Sequence, residues 1–473
     1  MSVGAIVHRC EGRVDYGERL AEEPRQQVGK VMRRLARCRR GPLGAKRLRC
    51  EDCRCDSVCL LNCGDRHCST CGGYRRLRWH DQMRHWNLPC PYLHLVVTVP
   101  HQLKDLITAN GRAMLGALMT SARRSALDYA RVHHGVARPG LVMVLHTWGQ
   151  RLNRHYHVHL ITTAGGLDQD QRTWIPIDVP QAESQRELLA GIFRSHYLKE
   201  ARRVAKKTAL RRPDALVADG AIESLFQTLE TIDWVADIQG SNESGGDGVA
   251  LIGYLSRYVT GTAIGNRRLI ADEGGFITFH IKDYRKGSEG TERLHELEFC
   301  RRIGDHVLPK GMPQVRYAGL FQSAGREARL AHCRGLLRAA AAAEQGVVLE
   351  SLGEAEPAEP FEPRPHEAPC PTCGKARSTV HVLEPAVTMQ ALSLVRLLIA
   401  ARRQLDEVDW RCVFSKVFKE QSRSAKPHPL IVTLQNGLMG IDHPVLQFAR
   451  LHYEEQCAVL FPRPPPQQEA SNR

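Results

Sequence analysis

The sequence reads as an α+β protein built on a central antiparallel sheet of four or five strands, with helices packed on one face. Three observations carry this reading. PYLHLVVTVP (91–100) alternates, is rich in β-branched residues and stops at Pro100. Two more alternating runs, 141–148 and 155–163, are joined by a short polar turn containing Gly149 and Asn153, the pattern of a hairpin. Between the first strand and the hairpin runs a long amphipathic helical region, from about Leu103 to His134.

The other elements follow in order. Residues 1–48 form a basic helical lead-in with VGKVMRRLARCRR as its clearest helix, and residues 49–90 form a cysteine-rich module. Beyond the hairpin, 182–230 is helical with a break near Pro213, IDWVADIQG (232–240) is a short strand, and SNESGGDG is a flexible break. A helix then carries Tyr254 and Tyr258. GGFITFHIKDYRKG (274–287) reads as strand and turn, followed by a helix from about 291 to 304, and the alanine run near 339–342 ends another helix. ESLGEAEPAEPFEPRPHEAP (350–369), rich in Pro and Glu, is an extended solvated linker. The last segment holds CPTCG (370–374), a helix around 387–405 and a Pro-rich tail. The expected division is therefore 1–90, 91–335, a helix end and linker over 336–369, and 370–473. No internal repeat is visible.

At 473 residues the chain holds two or three domains, and 42% apolar content supplies a core. The net charge is +15, and residues 1–90 alone carry 19 basic against 10 acidic side chains. A basic balance concentrated at one end favours a polyanionic partner, nucleic acid first. ALSLVRLLIAA is short for a membrane span and carries Arg396, and MSVGAIVHRCEGR lacks the apolar core of a secretory signal. A cytoplasmic protein with no membrane partner is expected, its 16 cysteines serving as thiolates or metal ligands rather than disulfides. No GxxxxGK[ST] loop occurs, so neither ATPase nor helicase activity is expected.

Ten of the 16 cysteines precede residue 91. Cys50-x-x-Cys53 and Cys68-x-x-Cys71 lie 14 residues apart, a spacing that lets two thiolate turns complete a tetrahedral Zn²⁺ site. Cys55, Cys59, Cys63 and His67 are surplus donors, with Cys63 the first substitute. Cys370 and Cys373 form a half-site with no evident partner pair.

His157 and His159 stand two apart in an alternating run, so both imidazoles share one face of a strand while Val158 turns into the core. Two neutral imidazoles so placed make an open divalent-metal site. Tyr254 and Tyr258, four apart, stack on one helix face. An HxH strand together with a helical tyrosine pair suggests a single-strand DNA nuclease with tyrosine as nucleophile.

YLHLVVTVPHQL, LHTWGQRLNRHYHVHLITTAGGL, YLSRYVTGTAIGNRRL and FHIKDYRKG followed by EFCRRIGDHVLPKG occur in an order that resembles rolling-circle insertion-sequence transposases of the HUH endonuclease superfamily. NCGDRHCSTC with Arg75, Arg76 and Trp79 is similar to the zinc-binding domain at the N-terminus of that family. The resemblance covers roughly 45–325. It implies a sheet like that of an RNA-recognition motif, with Mg²⁺ or Mn²⁺ held by His157 and His159. His94, His146 and His155 remain open as the third ligand. It further implies a 5′-phosphotyrosine link formed by Tyr254 or Tyr258, and phosphate contacts from Arg257, Arg267, Arg268, Lys282 and Arg285. Thr260 and Gly261 stand where relatives usually carry a basic residue. The implied partners are single-stranded mobile-element ends and a host helicase or replication machinery. The alternatives are a plasmid or phage rolling-circle replication initiator, which shares this core, and a non-catalytic zinc-dependent DNA-binding regulator.

Overall fold

The computed structural model describes residues 1–16, 22–178, 183–240, 261–283, 287–344, 370–404, 409–436, 439–440 and 442–460. They form two compact units, each discontinuous in sequence: Met1–Arg33 with Asp65–Arg364, and Arg34–Gly64 with Pro365–Arg473. This differs from the consecutive boundaries expected from composition. The reason is strand pairing: Ala45–Cys50 lies antiparallel to Arg377–Leu383, and local pattern says nothing about so distant a partner.

The first unit is built on the expected antiparallel sheet. Its strands lie in the order Val315–Gly319, Arg138–Trp148, Arg154–Leu167, Tyr92–Thr98 and Val235–Gly240, with Trp174–Pro176 added against the 154–167 strand. The hairpin of 138–148 with 154–167 is its centre. Alternation sorts the side chains onto two faces. Leu93, Leu95, Leu141, Met143, Leu145, Val158 and Leu160 are buried with Leu118, Ala122, Phe193 and Tyr197 of helices Gly111–His134 and Glu183–Lys207. The long helix read from Leu103 is in fact the short helix Lys104–Ala109 followed by Gly111–His134.

The other face is not bare. Tyr92, Val142, Val144 and Ile161 pack with Trp79, Met83 and Trp86 of helix Ser69–Trp86 and with Leu330 and Cys333 of helix Arg326–Glu344. Helices on one face were expected. Ser69–Trp86 escaped that reading because it lies in the cysteine-rich stretch, where arginines interrupt any regular apolar stripe. His94, His146, His157 and His159 share this second face, on the same strands as the aromatic cluster.

One backbone position in this sheet tolerates only glycine. Gly319 ends its strand with φ +60°, and a Cβ there would overlap the carbonyl oxygen of Pro139. That same oxygen accepts the Leu320 N–H at 3.0 Å. Gly319→Ala is expected to cost more than about 2 kcal/mol, through both the left-handed backbone and the overlap. Urea unfolding followed by tryptophan fluorescence measures it; an unchanged midpoint would contradict this packing.

A second sheet in the first unit has Phe276–Asp283 between Leu269–Glu273 and Ser288–His295. The helix expected from about 291 begins instead at Glu296, after the 288–295 strand. SEGTERLH is charged and locally helix-compatible, but full pairing with 276–283 overrides that propensity.

The second unit joins the 377–383, 45–50 and 56–60 strands in one sheet. Its core gathers Leu394, Leu398, Val413, Leu430 and Phe448 from four helices. One of these, Pro385–Arg403, is long and apolar enough to cross a membrane by length and composition. Here its Ala391, Leu394, Val395 and Leu398 are buried in that core.

Candidate metal centre

Four strands each contribute to one row of polar side chains. Register places His146 opposite His157, and Val144 and Val96 on either side of His159. His94 and Gln239 are paired on the next two strands. All four histidines are buried. One nitrogen each from His146, His157 and His159 lies within 4.8 Å of the other two.

The hydrogen bonds point to one arrangement of protons on these nitrogens. Gln239 donates from Nε2 to Asp237 Oδ2 at 2.8 Å, which turns its Oε1 toward His94 Nδ1 at 3.4 Å. With its proton on Nδ1, His94 presents a bare Nε2, which accepts from His159 Nδ1 at 2.9 Å. His159 Nε2 is then a lone pair. His157 donates from Nδ1 to the His155 carbonyl at 3.1 Å, so its Nε2 is a lone pair too. These two lone pairs face each other at 3.1 Å. A cation bound to both relieves the repulsion. Metal–nitrogen bonds of about 2.1 Å with angles near 90–110° give a nitrogen spacing of about 3.0–3.4 Å, so the residues present fit a divalent ion.

Burial sets the electrostatics. It holds His157 and His159 well below the usual imidazole range, and the neighbouring imidazoles push the same way. His94 is lowered by burial as well, against the opposing pull of Gln239 and Asp237. All three are therefore neutral near pH 7, the form that ligates. His146 stacks on Trp148 with ring centroids 4.5 Å apart, which fixes its plane. His155 is exposed, and its part in the row is its carbonyl.

A brace holds the hairpin that carries these residues, and sequence reasoning missed it. His306, just past helix Glu296–Asp305, donates from Nε2 to the Leu152 carbonyl at 3.1 Å and accepts at Nδ1 from Thr147 Oγ1 at 3.2 Å. Arg154 forms an ion pair with Asp305 at 2.7 Å. The signal was the adjacent pair Asp305-His306, which no motif singles out.

Tyr254, Tyr258 and Arg257 lie outside the described residues, as does Arg285. Arg267 is exposed. Arg268 is spent on structure: it donates to the His280 carbonyl at 2.9 Å and the Gln150 carbonyl at 2.5 Å. Lys282 is exposed and lies 3.8 Å from Glu289.

The cysteines are gathered differently from the expected quartet. Cys68 and Cys71 belong to the first unit, at the start of helix Ser69–Trp86. Cys63 lies in the second unit. Cys50 and Cys53, in the second unit, sit with Cys370 and Cys373, the four sulfurs all within 4.8 Å of one another. The pair that had no evident partner has one. Any second CxxC turn can complete the first, and the pairing of the 45–50 and 377–383 strands selects this one.

Comparison with known proteins identifies the family. A family model described as "Putative transposase" matches residues 140–328, the segment containing His146, His157 and His159. A transposase zinc-binding domain matches residues 11–99. The chain is 30% identical over 317 residues to "Putative transposase y4qJ" of Sinorhizobium fredii (strain NBRC 101917 / NGR234), covering 65% of this chain and 78% of that one. It is 29% identical over 299 residues to the transposase for insertion sequence element IS801 of Pseudomonas savastanoi pv. phaseolicola, covering 62% and 70%. No solved structure matches. These matches define a transposase, whose substrate is DNA. More narrowly, the chain belongs to the IS91 and IS801 family of rolling-circle insertion-sequence transposases. Its zinc-binding domain and its four-cysteine set support structural zinc.

Proposed function

We propose that this transposase nicks single-stranded DNA at mobile-element ends and transfers the strand through a 5′-phosphotyrosine link. The observation that supports this reading best is the convergence of the bare nitrogens of His157 and His159, with His146 beside them, on one sheet face. His146, His157 and His159 would hold the divalent ion, and His94 would orient His159. Nitrogen donors suit Mn²⁺ better than Mg²⁺, which prefers an all-oxygen shell. When bound, the ion supplies Lewis-acid stabilisation of charge on the scissile phosphate.

The phenol of Tyr254 or Tyr258 attacks phosphorus. Its proton passes to solvent, the bond to the 3′ oxygen breaks, and that oxygen takes a proton from solvent and leaves as a 3′-hydroxyl. The ester keeps the energy of the broken bond, so rejoining needs no nucleotide cofactor. Two tyrosines let one hold a DNA end while the other cuts a second strand. Arg267 and Lys282, exposed on the first unit, would contact backbone phosphate, as would Arg257 and Arg285. Strand separation would come from a host helicase or from replication.

The test uses purified protein, labelled single-stranded element ends and Mn²⁺. A protein–DNA adduct stable to denaturant is expected, and Tyr254→Phe with Tyr258→Phe removes it. An adduct that survives the double substitution overturns the nucleophile assignment. Absence of any adduct, with tight duplex binding, would favour a regulator instead.

A further inference from the structure

The geometry points to a Cys₄ zinc site in which Cys50 and Cys53 are completed by Cys370 and Cys373 from the C-terminal segment. Neither family match reaches residue 370: one covers 11–99 and the other 140–328. The site therefore makes the C-terminal segment part of the zinc-binding module.

Three observations converge. Cys50 Sγ lies 3.4 Å from Cys373 Sγ, and Cys53 Sγ lies 3.6 Å from Cys370 Sγ. Zinc–sulfur bonds of about 2.3 Å in a tetrahedron give a sulfur–sulfur edge of about 3.8 Å. A disulfide would bring sulfurs to about 2.05 Å. The close approaches thus run between the two CxxC pairs at near-tetrahedral spacing.

Both pairs sit in the same kind of turn. Arg54 follows Cys53 with φ +57°, and Gly374 follows Cys373 with φ +73°. A left-handed residue after the second cysteine folds the chain back, which aims backbone N–H groups at the sulfurs. Thr372 and Cys373 direct theirs at Cys370 Sγ, Lys375 at Cys373 Sγ, and Cys55 at Cys53 Sγ. Gly374 N–H also donates to the Cys370 carbonyl at 2.8 Å and closes the turn. Arg54 adopts this conformation without being glycine, a strain that a bound ion would help to hold.

The register makes the two turns neighbours. Cys50 ends its strand directly opposite Arg377, the first residue of the other. The four thiolates therefore cap one end of an antiparallel pair whose strands are joined by most of the chain. Closing so long a loop is what a metal clip does well, because the unfolded chain loses the most freedom there.

Zinc content of the full-length chain tests this. Cys50→Ser with Cys53→Ser should lose one zinc equivalent relative to the parent, and Cys370→Ser with Cys373→Ser should lose one as well. The fourfold variant should lose the same single equivalent, since both pairs hold one ion. Unchanged zinc in the 370/373 variant, or losses that add to two, overturns the proposal. So does a disulfide found at these positions by mass spectrometry of unreduced protein. Cys373→His guards against misfolding of the serine variants: it should keep the ion. In the cobalt-substituted protein it should weaken the sulfur charge-transfer band relative to the parent, as one of the four thiolates at this ion goes. An unchanged band would place the ion elsewhere.

Discussion

His159→Ala is expected to abolish Mn²⁺-dependent nicking at any Mn²⁺ concentration, and His157→Ala and His146→Ala to do the same. Each removes a donor from the set of three nitrogens within 4.8 Å. His94→Ala should behave differently. His94 spends Nε2 on the proton of His159 Nδ1 and Nδ1 on Gln239, so it has no nitrogen left for an ion. Losing it frees the ring and tautomer of His159 and should weaken metal binding by about 10–100-fold, the usual cost of removing a partner behind a ligand. Excess Mn²⁺ should then restore nicking in His94→Ala and leave the other three inactive. The measurement is adduct yield against Mn²⁺ concentration. If His94→Ala cannot be rescued while His146→Ala can, the two residues have exchanged roles.

How far the sequence revealed this centre depends on the range of each interaction. The shared face of His157 and His159 needs only the period of a strand, and the structure places both on the side opposite Val158. The choice between His94 and His146 depends on register and on the orientation of one amide. Gln239 bears on it, because Asp237 sets which end of that amide faces His94. No local pattern contains that information. The same holds for Cys370 and Cys373, whose partners are set by a strand pairing across most of the chain. The hairpin and the first strand were legible because alternation and turn chemistry agree there. The 288–295 strand was not, because its charged residues satisfy a helix until a neighbouring strand claims them.

The buried imidazoles also make the fold sensitive to acid. His306 is enclosed, and burial pushes it down to about 4 despite the hydrogen bond to the Leu152 carbonyl. An unfolded chain takes up that proton near pH 6.5. Stability from this group is therefore complete above about pH 6.5 and is lost as pH falls from there toward 4, because only the unfolded state gains the proton. Between pH 7.5 and pH 5 the loss is about 2 kcal/mol for His306 alone. His67, partly buried, is lowered too by desolvation and adds in the same direction, against the pull of Asp65. His94, His157 and His159 add further in metal-free protein. Urea midpoints of chelator-treated protein at the two pH values measure the sum. His306→Gln isolates one share, since an amide can still donate to Leu152 but does not titrate. It should lower stability at pH 7.5, yet flatten the fall toward pH 5 by about 2 kcal/mol. An unchanged fall would mean that His306 gains its proton while folded, and that the brace beneath the 138–167 hairpin opens to water.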